Sequence, residues 1–189
     1  MPRRSRRSPD TDIVTISIGG VDSNHVVVTR EHCASLAPGV DRRCRDDAQT
    51  QRDAEEGIAK ARPKIDGAIA AVRDRAPNAR IFVVGHGGAI GERGCWPSIP
   101  YSDDDARFLT GYFDRFNDIY RESAAAHGAE FVDIGAATVA GGHDPCAAPE
   151  DKWFEGLIPT SSAQPAHFNA RGMAAVADMI AERLGVETR

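Results

Sequence analysis

Short apolar runs rich in β-branched residues recur along the chain, and each ends at a glycine. They span Ile13 to Ile18, Ile81 to Val84 and Phe131 to Ile134. Continuous apolar runs of this length, bounded by glycine, predict buried β-strands that run into loops. We therefore predict three strands.

Helical stretches lie between and after the predicted strands. They are Asp53 to Arg75, with an interruption at Pro63, Asp103 to His127, and Asn169 to Leu184. Alternating strands and helices are the order expected of a parallel sheet covered by helices. We predict an α/β fold, with a disordered basic tail over residues 1–10 and one domain over residues 11–186.

The carboxyl ends of parallel strands border the crevice in which such folds bind ligands. The loops that follow the strands are therefore the informative ones. They are Gly19 to Asn24, Gly85 to Gly94, Gly135 to Cys146, and the segment around His167 before the last helix.

The first predicted strand has no alternation of apolar and polar positions, which is typical of a strand paired on both sides. Three strands are also fewer than the roughly five expected of a doubly wound sheet. We therefore expect an exposed sheet edge, a feature that invites self-association.

Composition excludes two classes of partner. The 189 residues carry a formal net charge of -5, whereas nucleic-acid binding needs clustered positive charge. No apolar run is long enough to span a bilayer. Four arginines crowd the first ten residues, but no apolar segment follows them, so the sequence predicts no export signal there.

The four cysteines lack the spacing of a zinc site, and we predict no metal. They are Cys33, Cys44, Cys95 and Cys146. Of the three pairings open to them, we favour Cys33 with Cys44 and Cys95 with Cys146, because the first pair closes a short polar loop. Disulfides would indicate an oxidising compartment. Four reduced, buried cysteines in a cytosolic chain are the alternative.

A series of motifs resembles the SGNH, or GDSL, hydrolases over nearly all of Thr11 to Leu184. The segment TDIVTISIGGVD, from Thr11 to Asp22, is similar to the family's third block, and HFNARGM, from His167 to Met173, to its His-Pro-Asn-x-x-Gly block. Cys33 and Cys44 stand where the secreted actinobacterial esterase and lipase branch has a cysteine-closed loop.

The resemblance implies a flavodoxin-like three-layer α/β/α sandwich that lacks the family's first strands. It implies a carboxylic-ester hydrolase acting on small acyl esters or lipids, without a cofactor. His167 would be the general base and Gly20, Val21 and Asp22 the oxyanion loop. Family members of this branch are secreted, but the compartment of this chain stays open.

Two positions depart from the family pattern. Val21 stands where the family has an asparagine that donates to the oxyanion, and valine has no side-chain donor. Gln164 replaces the aspartate that orients the histidine in much of the family. Since an imidazole needs only an acceptor at its other nitrogen, a backbone carbonyl could serve instead.

The serine nucleophile is missing from the pattern. A Gly-Asp-Ser block should precede the first predicted strand, and nothing of that kind precedes Thr11. Ser23, Ser161 and Ser162 lie near the expected crevice but lack a nucleophile-elbow context. We therefore expect a chain truncated at its start, with negligible hydrolase activity. The alternative is a non-catalytic binding or interaction protein, a pseudoenzyme or gene fragment.

Three further motifs suggest sites but have simpler interpretations. The loop Gly85 to Gly91 lacks the Lys and Ser/Thr of a phosphate-binding loop, so we interpret it as a flexible crevice loop. Asp103 to Asp105 should cap a helix rather than bind a cation. His143 belongs to a loop that Cys146 holds, which favours a stabilising role.

Overall fold

The computed structural model describes residues 10–22 and 24–186. Three parallel strands form one sheet in the order β1-β2-β3. They are β1 (Ile13–Ile16), β2 (Arg80–Val84) and β3 (Glu130–Val132). The predicted α/β fold with a parallel sheet is confirmed. The prediction for residues 1–10 falls almost wholly outside the described residues.

Four α-helices accompany the sheet. They are α1 (Ala48–Arg75), α2 (Asp103–Ala126), α3 (Ile134–Ala140) and α4 (Ala170–Leu184). Helix α1 begins five residues earlier than predicted because the Asp47 side chain accepts a hydrogen bond from Thr50 N and caps it. The predicted interruption at Pro63 is wrong, since the helix continues through it.

The third strand ends earlier than predicted. It ends at Val132, and the Asp133 side chain accepts a hydrogen bond from Ala136 N, which starts helix α3 at Ile134. Asp103, Asp104 and Asp105 lie in the first turn of α2, as predicted, although Ser102 provides the N-cap. Asp105 is also buried and lies 2.9 Å from the Arg45 guanidinium.

The sheet lies between two helical layers, and the side chains of β2 divide between them. Ile81 and Val83 pack in one cluster with residues of α1 and α2, while Phe82 and Val84 pack in another with Ile180 of α4. This alternation is the consequence of successive side chains pointing to opposite faces of a strand. It produces the predicted three-layer sandwich.

Two disulfides hold the loops at the carboxyl end of the sheet. Cys33 pairs with Cys44 and Cys95 with Cys146, as predicted. The first bridge is buried beside Val28, which lies in a short π-helical segment, Val27–Cys33. The first bridge therefore joins the segment after β1 to the turn that precedes α1, and the second joins the loop after β2 to the loop after α3.

Strand β1 pairs only with β2 in the described part of the chain. Its free edge borders an apolar groove of about 480 Å³ whose walls include Ile16, Val84, Val176 and Ile180. The structure thus has the exposed sheet edge that the sequence predicts. Among the described helices, none has the length and apolar character needed to cross a membrane.

Candidate active site

A pocket of about 390 Å³ opens beyond the carboxyl ends of β1 and β2. Three of the four predicted loops line it, through Gly20 and Val21 after β1, His86 after β2, and His167 before α4. The loop after β3 does not, because the chain enters helix α3 directly. The topology therefore brings the predicted base and part of the predicted oxyanion loop to one cavity.

A backbone carbonyl orients the His167 ring. Nδ1 lies 2.8 Å from the carbonyl oxygen of Pro165. Since that oxygen can only accept, Nδ1 carries the proton and Nε2 is left as the acceptor that a general base needs. Gln164, at the position of the family's aspartate, contributes only its own carbonyl, which accepts from His167 N at 3.2 Å.

The turn that makes this contact has an unusual backbone. Ala166 has a φ of 59°, in the left-handed region that non-glycine residues rarely adopt. This conformation folds the chain back so that the His167 ring meets the carbonyl two residues before it. Such conformations cost free energy and persist only where surrounding contacts hold them.

The predicted oxyanion loop is only partly in the pocket. Gly20 to Asp22 form one short helical turn, in which Gly20 and Val21 line the pocket. The Val21 side chain is 85% exposed. Asp22 is not among the pocket-lining residues, and its carboxylate is 2.7 Å from Lys64 Nζ on helix α1. Residues 20–22 therefore bring no side-chain donor to the pocket.

His86 is a pocket residue that sequence reasoning missed. Its Nε2 lies 3.1 Å from the Ile18 carbonyl, and its ring packs beside those of Phe116 and Tyr120. The Asn117 side chain holds its backbone, accepting from His86 N and donating to His86 O. Burial lowers the pKa of His86, although the hydrogen bond to the Ile18 carbonyl acts in the opposite direction, so the ring is neutral at neutral pH.

The far wall of the pocket is largely apolar, with two half-buried polar rings. Burial lowers the pKa of His25, helped by His86 and Arg30, and burial raises the pKa of Tyr101 to about 12. Both groups are therefore uncharged at neutral pH. The described lining includes one arginine, Arg30, and no aspartate or glutamate.

The described hydroxyl groups do not form a dyad with His167. Ser17, Thr29 and Tyr101 line the pocket, but none is hydrogen-bonded to the His167 ring. Ser161 and Ser162 are exposed. Ser23, the remaining sequence candidate, lies outside the described residues.

The other sequence motifs lie in packed surroundings. A Cβ on Gly88 would come within 2.5 Å of the Phe154 ring, so the glycine of this loop allows close packing. His143 stacks on Trp153 with ring centroids 4.1 Å apart, and its Nδ1 donates to the Asp151 carbonyl. Both motifs support neighbouring structure.

The comparisons with known proteins agree with this fold and with the family that the motifs resemble. The sequence matches the model of the GDSL-like Lipase/Acylhydrolase family over residues 1–175. The chain therefore belongs to this family, which confirms the resemblance seen in its motifs. Lipase 2 of Streptomyces coelicolor is 31% identical over 98% of this chain, and the chain spans 64% of the length of that relative.

Two solved structures share the fold. Phospholipase A1 from Streptomyces albidoflavus NA297 is similar with a TM-score of 0.72 and 21% identity, over 96% of this chain and 72% of that one. An extracellular lipase from Streptomyces rimosus has a TM-score of 0.60 and 24% identity, over 90% of this chain and 70% of that one. These likenesses confirm the α/β fold class.

Proposed function

We propose that this chain forms the base-bearing part of a carboxylic-ester hydrolase site that receives small acyl esters or lipids. The observation that carries the proposal is the contact between His167 Nδ1 and the Pro165 carbonyl at 2.8 Å, in the wall of a largely apolar pocket. A hydroxyl group becomes a nucleophile only when such a base removes its proton. Family membership and the lipase names of the relatives support the same reaction class.

We further propose that the 189-residue polypeptide alone hydrolyses esters at a negligible rate. It contains no Gly-Asp-Ser sequence, and none of the described hydroxyl groups is hydrogen-bonded to the His167 ring. Val21 also removes a side-chain donor, a loss that typically costs about 2.7–4 kcal/mol of transition-state stabilisation. The loss of the nucleophile and the loss of the oxyanion donor both affect the same step, the attack on the ester carbonyl.

Turnover of p-nitrophenyl butyrate by the purified, oxidised chain tests the second proposal. We expect a rate equal to that of His167→Ala, because both lack an activated nucleophile. Turnover that is well above the buffer rate and disappears in His167→Ala would contradict it.

Binding of a short ester tests the first proposal without requiring turnover. Methyl butyrate should shift the histidine Cε1 NMR signals of His86 and His167. His127, which is hydrogen-bonded to Asp66, and His143 lie outside the pocket and serve as internal controls. Unchanged His86 and His167 signals at saturating ester would contradict an acyl-binding pocket.

A second candidate function is binding without hydrolysis, and Val21 favours it. An apolar side chain at this position keeps the pocket wall but supplies no oxyanion donor. Ester binding by the chain, combined with turnover no faster than that of His167→Ala, is the result that this function predicts. Turnover that depends on His167 would exclude it.

Self-association through the free edge of β1 is a related proposal. Unpaired strand edges next to apolar surface favour pairing with another chain, and most side chains that line the groove beside β1 are apolar. We expect Thr15→Pro, which removes a backbone donor, to shift the chain toward a monomer in sedimentation velocity. Wild-type protein that is monomeric at every concentration would contradict this proposal.

A further inference from the structure

A buried ion pair lies directly beside the segment that carries His167. Lys152 Nζ and Glu155 Oε2 are 2.8 Å apart, and their side chains are 3% and 0% exposed. Burying two charges is costly, and well-packed apolar residues would often serve stability equally well. The other contacts of Glu155 indicate what this pair does.

Glu155 binds two ends of one loop at once. Its Oε2 accepts from Thr160 N at 2.8 Å, and its Oε1 accepts from Asn169 Nδ2 at 3.2 Å. Its own backbone N donates to the His167 carbonyl at 2.9 Å. A single residue therefore fixes both ends of residues 160–169, the loop that contains the Pro165 to His167 turn.

Asn169 extends this network into helix α4. Its Nδ2 also donates to the Lys152 carbonyl at 2.8 Å, and its Oδ1 accepts from Arg171 N and Gly172 N. Asn169, two residues after His167, is thus held both by the start of helix α4 and by Glu155. In addition, Phe154 and Phe168 pair as an antiparallel bridge, which aligns the two backbones.

The carboxylate of Glu155 keeps its charge at neutral pH. Burial alone would raise its pKa, but hydrogen bonds from Lys152, Thr160 and Asn169 act in the opposite direction and lower the pKa to about 2. The network is therefore made of charge-assisted hydrogen bonds, which are stronger and more directional than neutral ones.

We propose that Glu155 is a positioning residue whose carboxylate, paired with Lys152, holds loop 160–169 in the conformation that fixes the tautomer of His167. Without this hold, the left-handed conformation of Ala166 has less to maintain it. The ring would then lose its regular contact with the Pro165 carbonyl and exchange between its two neutral forms. The inference rests on the proposed function only for the role of His167 as a base.

Long-range ¹H–¹⁵N NMR spectra of the histidine rings test the proposal, with His167→Ala used to assign the signals. The wild-type chain should show His167 protonated at Nδ1. Glu155→Gln, which keeps the side-chain size, should show averaging between the Nδ1-H and Nε2-H forms. Glu56→Gln is the matched control, because Glu56 and Lys60 form an exposed ion pair on α1, and it should leave the spectrum unchanged.

The double variant Lys152→Met, Glu155→Leu provides the test if the single variant does not fold, because it removes both buried charges together. It should also show averaging of the His167 tautomer. A folded variant of either kind that keeps His167 fully in the Nδ1-H form would overturn the proposal. A wild-type His167 protonated at Nε2 would instead overturn the site geometry that supports the proposed function, so the two failures are distinguishable.

Discussion

A methyl group added at Gly20 should destabilise the protein by pressing on the floor of the pocket. A Cβ built there lies 2.7 Å from Cε1 of His86, whereas ordinary van der Waals contact begins at 3.4 Å. The His86 ring has little room to retreat, because it is hydrogen-bonded to the Ile18 carbonyl and packed against Phe116 and Tyr120. Overpacking of this kind costs about 1–3 kcal/mol, and we expect Gly20→Ala to lower the free energy of unfolding by that amount.

Gly67 provides the matched control. It lies in an exposed part of helix α1, and a Cβ there meets nothing within 4 Å. Replacing an exposed glycine in a helix by alanine stabilises a protein by about 0.5–1 kcal/mol. Gly20→Ala and Gly67→Ala should therefore change the stability in opposite directions.

Urea denaturation of the oxidised protein measures both changes, and a double-mutant cycle locates the cause. In a His86→Ala background the ring is gone, so Gly20→Ala should cost much less than in the wild type. A Gly20→Ala variant as stable as the wild type, or a cost that is unchanged by His86→Ala, would refute the contact between the loop after β1 and the His86 ring.

Three further outcomes are expected. Removal of the Cys95–Cys146 bridge, whose cysteines are 51 residues apart in sequence, should destabilise the chain by about 4 kcal/mol on the chain-entropy estimate. The urea midpoints of the wild type and of Cys95→Ala/Cys146→Ala measure this loss of stability, and equal midpoints would contradict the prediction. Burial lowers the pKa of His86 in the folded state from 6.5, so the unfolded chain binds more protons below that value and stability should fall between about pH 7.5 and 5.5. His86→Gln should flatten this fall, and an unchanged slope would argue against a neutral His86 ring in the folded protein. Asn169→Ala should lower the free energy of unfolding by more than the roughly 1 kcal/mol of a lost N-cap, since it also removes the two hydrogen bonds that Asn169 Nδ2 donates. Thermal unfolding measures the change, and a smaller loss of stability would show that those two bonds add little.

The sequence was sufficient to predict a parallel sheet whose strands alternate with helices along the chain. The β-branched runs at Ile13 and Ile81 predict buried strands, and both are strands, but only β2 is buried, because β1 lies at the exposed edge of the sheet. The run at Phe131 was less clear, because Asp133 reads equally well as a strand residue or as a helix cap, and only the packing of α3 decides between them.

The site was predictable only where a motif marked it. His167 stands in a recognisable block, but His86 is a single histidine among glycines, and nothing in its neighbours reveals that its ring packs against Gly20. Glu155 was missed for a related physical reason. A charged residue is normally exposed, so its burial against Lys152 could not be read from a sequence pattern.

Labelling with a fluorophosphonate, which reacts with activated serine hydroxyls, tests the central claim most directly. In our proposal, the chain has the base of an ester-cleaving site without a serine that the base activates. Intact-mass analysis of the oxidised chain should therefore find no adduct after prolonged incubation. A stoichiometric adduct on one serine that is absent from the His167→Ala variant would contradict it.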